Sequence, residues 1–293
     1  MTTSDYFSTV TLPHRAKPYP SLLDFLQLRF PKVTRDSWER RLAEGRVLDG
    51  EGQPLTRETR YIPGKEIRYF REVAREPVIP FAEKIILQND ELLVACKPHF
   101  LPVIPAGPYV NECLLHRLKK KTGNSSLVPL HRIDRETAGL VLFSVNPETR
   151  GLYHDLFLRG LVEKIYQAVA VCRVAPPQSE WCVANRLVAG IPWFRMQTAP
   201  GRVNSCSRIR LLERRDDRGR FALQPETGKK HQLRVHMSSL GFGIINDRFY
   251  PELQPETEDD FDRPLQLLAE TVRFRDPVSG EKREFVSERR LQW

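Results

Sequence analysis

The chain has 293 residues, 40% of them hydrophobic and 28% charged, with a formal net charge of +9. That size buries a substantial core in one large or two unequal domains, and the basic balance suits a polyanionic partner. No window approaches the ~20 apolar residues of a membrane span, and the 5 scattered cysteines form no C-x-x-C pair, which favours reduced thiols and argues against zinc.

Residues 1–18 open on Met-Thr-Thr-Ser-Asp-Tyr, without the basic and apolar regions of a secretory leader, so a cytoplasmic location is expected. They are polar, contain Pro13 and Pro18, and read as a loose arm. From Ser21 the spacing predicts a helix: Ser21 and Asp24 form an N-terminal box, and Leu22, Phe25, Leu26 and Phe30 recur at helical intervals. A second helix is expected over residues 34–44, with Trp38 and Leu42 inward and Arg35, Arg40, Arg41 and Arg46 on the other side. A hairpin follows, from residues 46–48 through the turn Asp49-Gly-Glu-Gly52 to residues 61–69. Two short helices and a hairpin, basic on one side, resemble the alpha-L RNA-binding motif that a small-subunit ribosomal protein shares with many RNA-modifying enzymes. The residues carrying that likeness are Ser21-Leu-Leu-Asp-Phe-Leu26, Glu44-Gly-Arg-Val47 and Ile62-Pro-Gly-Lys65. A solvated helix pair gives the same pattern. The expected domains are thus an arm at 1–18, an RNA-binding unit at 19–72, a linker at 73–83 and a larger domain from 84 to 293.

In the larger domain, strands are expected at 85–87, 92–96, 139–145, 164–171, 207–212, 221–225 and 269–274. Helices are expected at 111–121, 148–160 and 230–240. Mixed elements without regular alternation favour an α+β fold over a doubly wound sheet.

Four segments carry the chemistry. Lys97-Pro-His-Phe-Leu-Pro-Val-Ile-Pro105 is a rigid loop after a strand. His131-Arg-Ile-Asp-Arg-Glu-Thr-Ala-Gly-Leu140 sets Asp134 between Arg132 and Arg135, just before a buried apolar run. A carboxylate so placed stays ionised and aimed, as a nucleophile or acid–base group must, although an ordinary loop ion pair has the same pattern. In Glu163-Lys-Ile-Tyr-Gln-Ala-Val169, strand alternation puts Lys164, Tyr166 and Ala168 on one face. There a tyrosine can stack on a base, or simply pack the strand. Thr227-Gly-Lys-Lys-His-Gln-Leu-Arg234-Val-His236 turns into a helix whose N–H groups, with Lys229, Lys230 and Arg234, suit an anion. His231 and His236 have no clear third partner for a metal.

In this order and at these spacings, the segments resemble the RluA-type pseudouridine synthases: His131-Arg-Ile-Asp134 with Thr137-Ala-Gly139, then Lys164-x-Tyr166-x-Ala168, then Thr227-Gly228 with His231-Gln-Leu-Arg234-Val-His236. Lys97-Pro98 and Asn246-Asp247-x-x-Tyr250 also fit, and the likeness runs from about Phe81 to the C-terminus. It implies a mixed, largely antiparallel sheet with flanking helices and a central cleft. It implies an isomerase that converts uridine in ribosomal or transfer RNA to pseudouridine, without cofactor or metal. Asp134 matches the essential aspartate, attacking the ribose C1′ or expelling uracil through a glycal. Tyr166 matches the tyrosine packed on the base, able to take the C5 proton, and Arg234 the arginine paired with the carboxylate. Arg132 matches the residue that fills the gap left by the everted nucleotide. His131, Thr137, Lys164, Lys229, His231, Gln232 and Leu233 fall on the substrate-binding positions.

Departures are few. Lys229 stands where arginine is usual, Ala138 where serine is common and Asn246 where glycine is frequent; residues 267–270 lack a usual histidine. Residues 251–262 are strongly acidic and are expected to avoid the RNA backbone or restrict which RNA docks. Phosphate contacts are expected from the basic stretches 35–46, 117–121 and 208–220, and the chain is expected to be a monomer with no membrane partner. The alternatives are a non-catalytic RNA-binding or assembly protein on the same scaffold, and a hydrolase using Asp134 or the two histidines. Intact Asp134, Tyr166 and Arg234 disfavour the first; the lack of a second suitably spaced carboxylate disfavours the other.

Overall fold

The structure, a computed structural model, describes residues 1–15 and 17–292. The chain divides into two compact units: Met1–Pro77 with Pro105–Asn111, and Val78–Ile104 with the chain from Glu112 onward.

The first unit contains β1 (Thr2–Thr3), β2 (Ser8–Thr11), α1 (Leu22–Arg29), α2 (Arg35–Ala43), β3 (Val47–Asp49), β4 (Glu66–Tyr69) and β5 (Glu72–Val73). Ser21 and Thr34 cap the two helices by accepting hydrogen bonds from the N–H groups of Asp24 and Ser37. Leu22, Phe25 and Leu26 of α1 pack against Trp38 and Leu42 of α2 and against Val47 and Ile67. The N-terminal residues, expected to be loose, are strands: Val10 of β2 sits opposite Ile67 of β4, and Thr2 of β1 opposite Val73 of β5. Strands this short have no visible period, and their hydrogen-bond partners lie far along the chain. Part of the expected linker is also ordered structure, because Glu76 accepts backbone N–H groups from Val110 and Asn111. That contact helps to bring residues 105–111 into the first unit, where the sequence had placed them in the second domain.

The expected basic face of α2 is largely turned to internal use. Arg41 is buried over the Trp38 ring, and Arg40, Arg41 and Arg46 converge on the carboxylate of Glu72. Arg35 reaches Asp24 and Glu39.

The second unit contains β6 (Lys84–Gln88), β7 (Leu92–Lys97), α3 (Leu114–Thr122), β8 (Val128–Pro129), β9 (Ala138–Ser144), α4 (Arg150–Leu158), β10 (Glu163–Val171) and β11 (Glu180–Ala189). Then follow β12 (Met196–Ala199), β13 (Ser205–Arg215), β14 (Arg218–Pro225), α5 (Gln232–Ser239), β15 (Leu267–Arg275) and β16 (Lys282–Val286). Its described residues form an 11-stranded sheet in the order β12-β11-β13-β14-β10-β15-β9-β7-β6, with β16 beside β15 and β8 beside β9. The sheet is mixed and largely antiparallel; β15 and β9 run parallel. The fold is α+β.

Every residue of β7 and β9 is buried, which is why both read as continuous apolar runs and not as alternation. The half-exposed β11 carries Arg186 and Asn185 among its apolar residues and was not anticipated; nor were β12 and β16. At the junction of β15 and β9, Gly139 has φ +114, and a Cβ there would lie 2.1 Å from the Ala269 carbonyl oxygen. Only glycine lets β15 close on β9 at this point. The junction anchors the loop that carries Asp134.

Candidate active site

The loop ahead of β9 is held from beneath by its backbone. The fully buried Lys97 ammonium donates to the carbonyls of Pro98 (3.0 Å), Leu101 (2.7 Å) and Arg135 (3.0 Å). Burial lowers the Lys97 pKa to about 7, against the opposing pull of Glu136 and Asp134. His99 places Nδ1 2.6 Å from the Glu136 carbonyl; since that oxygen only accepts, Nδ1 carries the proton. The Thr137 N–H closes the turn onto the Asp134 carbonyl at 3.2 Å. The stretch 97–105, expected only to be rigid, therefore fixes the neighbours of Asp134.

Arg234, on α5, brings the acidic groups together. Its Nε and Nη2 donate to both oxygens of Asp247, at 2.8 and 2.6 Å, in a bidentate pair. The remaining Nη1 lies 3.4 Å from Asp134 Oδ2 and 3.9 Å from Glu136. The guanidinium is 2% exposed and rests over Phe249, 4.9 Å from the ring centre. Burial alone would lower its pKa, but Asp247, Asp134 and Glu136 outweigh that and raise it. Asp134 itself is 25% exposed. Its carboxylate is thus oriented by a long contact from a partner 100 positions away. Arg135 forks instead onto Asp259, at 2.6 and 2.9 Å, and Arg132 is exposed, with no side-chain hydrogen bond or ion pair among the described residues.

Tyr166 sits on β10 between Leu223 of β14 and Ala269 of β15, at a register shift, and packs against the core of this unit. Burial first, and Asp134 second, raise its pKa above the usual phenol value, so it is a neutral phenol at physiological pH. Lys164 is half-buried, and desolvation lowers its pKa.

Of the residues expected to meet substrate, Asp134, Arg234, His231 and Tyr166 come together. His231, in a left-handed conformation (φ +53), sets Nε2 3.9 Å from Asp134 and Nδ1 3.0 Å from the Tyr250 hydroxyl. Burial lowers its pKa to about 3, so its ring is neutral. Others lie elsewhere or are held by the fold. His131 accepts the Leu142 N–H through Nε2 and stacks on Phe157, with burial lowering its pKa to about 3. Gln232 is saturated by Thr227, the Lys229 N–H, the Cys206 carbonyl and Ser207, and Leu233 lies in the core. Thr137 is buried at the loop's turn, and Lys229 is exposed.

Asp247 is the partner that sequence reasoning undervalued. Besides holding Arg234, it accepts N–H groups from Phe249 and Tyr250. Its signal was the Asn246-Asp247-x-x-Tyr250 spacing. Asn246 has φ +62, which explains why glycine suits that position and asparagine is tolerated. Most of the second unit's expected phosphate-binding arginines are engaged internally: Arg117 on Glu112 and two carbonyls, Arg208 on Glu226, Arg214 on two carbonyls, and Arg215 and Arg220 on Glu213. The acidic 251–262 stretch is likewise docked, through Asp259 on Arg135 and Phe261 against Phe81 and Phe100. A cavity of about 570 Å³ is lined by Asp247 and Tyr250 but not by Asp134, Tyr166 or Arg234.

Comparison with known proteins bears on this geometry. Residues 91–239 match the family described as RNA pseudouridylate synthase. An uncharacterised RNA pseudouridine synthase of Synechocystis is 28% identical over 78% of this chain and 79% of its own length. The dual-specificity RNA pseudouridine synthase RluA of Haemophilus influenzae is 29% identical over 71% of this chain and 94% of its own. Animal and plant relatives are longer, with matches spanning from 32% to 64% of their lengths. The solved structure of human RNA pseudouridylate synthase domain containing 4 shares the fold, with a TM-score of 0.56 at 24% identity, covering 71% of this chain and 88% of that one.

Proposed function

Because the chain belongs to the RNA pseudouridylate synthase family, we propose that it isomerises particular uridines in ribosomal or transfer RNA, with Asp134 acting at the ribose of an everted nucleotide. As an RNA pseudouridine synthase it is an isomerase. The C1′–N1 bond breaks, uracil turns over, and a C1′–C5 bond forms; C5 loses a proton and N1 gains one. The composition of the nucleotide is unchanged, so the protein must hold, desolvate and reorient the base. The observation that carries the assignment is the Asp134 carboxylate, partly open to solvent and 3.4 Å from an arginine that Asp247 holds in place by a bidentate pair.

The other roles follow from position. Arg234 aims Asp134 through its Nη1 contact. Tyr166, neutral and buried beside Asp134, offers its ring to the uracil and its hydroxyl to proton movement at C5. Extruding a base costs a few kcal/mol, and the unengaged, planar Arg132 guanidinium stacks in the vacated space to offset part of that. In the first unit, backbone affinity falls to cations that remain exposed and unengaged among the described residues, such as Lys32, Arg60 and Lys65, and less to the arginines held by Glu72. The choice of ribosomal or transfer RNA rests on the resemblance of the motifs to RluA-type synthases; one relative is named a dual-specificity RNA pseudouridine synthase. The proposed compartment is the cytoplasm and the proposed working form a monomer. Mapping pseudouridines in total RNA from cells with and without the gene tests the reading. Loss of one or a few sites in ribosomal or transfer RNA is expected; identical maps overturn it.

A further inference from the structure

The turn between β11 and β12 holds two of the most exposed apolar side chains in the second unit, Ile191 at 91% and Trp193 at 75%. The turn is firmly built. Gly190 N–H donates to the Arg195 carbonyl at 3.0 Å, and Arg195 N–H to the Pro192 carbonyl at 2.9 Å. The Arg195 side chain reaches the Pro251 carbonyl at 3.1 Å and covers the Tyr250 ring at 5.0 Å. Two large apolar side chains exposed together on a turn held in this way suit a contact surface.

Two observations identify the occupant. The Lys230 ammonium lies 5.6 Å from the centre of the Trp193 ring, and Lys229 beside it is exposed, so the flat apolar face is paired with positive charge. An aromatic face beside ammonium groups is complementary to a nucleobase and its phosphate. The platform is also continuous with the catalytic residues: Trp193 meets Phe194 edge-on at 6.0 Å, Phe194 meets Phe249 at 5.3 Å, and Phe249 lies under the Arg234 guanidinium. We propose that Trp193 is a stacking platform for an unpaired nucleobase flanking the target uridine, with Lys230 and Lys229 holding the adjoining phosphates. This rests on the chain being an RNA enzyme and adds a specificity site to it: substrates with an unstacked neighbour next to the target are favoured over those buried in continuous helix.

The test uses the full chain carrying Asp134→Asn, so that binding is read without turnover, and a short, end-labelled, uridine-containing single-stranded RNA followed by fluorescence anisotropy. Adding Trp193→Ala is expected to weaken binding roughly 5- to 100-fold, the range of one lost base–aromatic stack, and Trp193→Phe to restore most of it. A series of the same RNA with a single abasic nucleotide at successive positions should reveal one position that matters to the parent and not to the Trp193→Ala form. Lys230→Ala should lower the dependence of affinity on salt by about one phosphate contact. Equal binding by parent and Trp193→Ala, or an abasic penalty that persists undiminished without the indole, overturns the platform and leaves the enzyme reading standing; that result would turn the exposed turn toward a protein or lipid contact. A parent that fails to bind the RNA at all overturns both.

Discussion

Two arginine–carboxylate clusters, one in each unit, are built from the same chemistry to opposite effect. In the first unit a single carboxylate, Glu72, gathers Arg40, Arg41 and Arg46 and is only 3% exposed. In the second, a single arginine, Arg234, is shared by carboxylates: Asp247 takes the bidentate pair and Asp134 one contact of 3.4 Å. Where cations outnumber anions, the acid is saturated and serves to hold α2 and its neighbours in place. Where anions outnumber the cation, one acid is satisfied and another is left oriented and reachable. The difference between a structural ion cluster and a reactive one lies here in which partner is in excess.

The comparison can be broken most severely at Asp134. Asp134→Asn should reduce pseudouridine formation by roughly 10²- to 10⁴-fold in single-turnover assays, while urea unfolding stays close to wild type because Arg234 keeps Asp247. A product yield near wild type would remove Asp134 from the reaction. Asp247→Asn should invert that pattern in stability: a buried guanidinium loses its bidentate partner, and unfolding free energy should fall by about 3–5 kcal/mol. Turnover should fall with it, since Arg234 would no longer be held against Asp134. In the first unit, Glu72→Gln should cost about 1–3 kcal/mol, the scale of hydrogen bonds to charged groups, with catalysis on a short RNA unchanged. Burial raises the Glu72 pKa, but Arg46, Arg41 and Arg40 outweigh it and the folded value lies below the ordinary one. Its contribution is therefore complete above the unfolded carboxylate pKa and fades as pH falls through the folded value, so wild type and Glu72→Gln should converge in acid.

The smallest expected effect concerns Lys97. Its folded pKa of about 7 lies below the value of 10.5 for a free lysine. Between those two values the unfolded chain binds the additional proton, so stability attributable to this group rises with pH across that window. Urea titrations of wild type and Lys97→Met at several pH values should show their difference shifting in favour of wild type above about pH 7. A constant difference would mean that the ammonium titrates as it does in water.

Much of the catalytic unit was legible from local pattern. The apolar runs of β7 and β9 and the ordered segments around Asp134, Tyr166 and Arg234, like the caps at Ser21 and Thr34 in the first unit, each depend on neighbours within a few residues. What escaped the reading depends on distant partners. His131 sits in the same motif as Asp134, yet its ring nitrogen serves the Leu142 N–H. Leu233 and Gln232 share the helical segment of Arg234, but one turns into the core and the other into a saturated hydrogen-bond set. Arg135 looked like a partner for the adjacent Asp134 and instead forks onto Asp259 in the acidic stretch. The strands at the N-terminus went unseen because β4 and β5 complete their ladders.

The sequence by itself determined the repertoire: an acid before a buried strand, a tyrosine on a strand, an arginine on a short helix, and a glycine where two strands close. These follow from side-chain periodicity and turn chemistry, which act over short stretches of chain. Tertiary structure alone decided which charges neutralise one another and which are left over. Ion pairing is set by distances of a few ångströms in a medium of low dielectric, and no spacing along the chain encodes that Arg234 satisfies Asp247 first and only steadies Asp134.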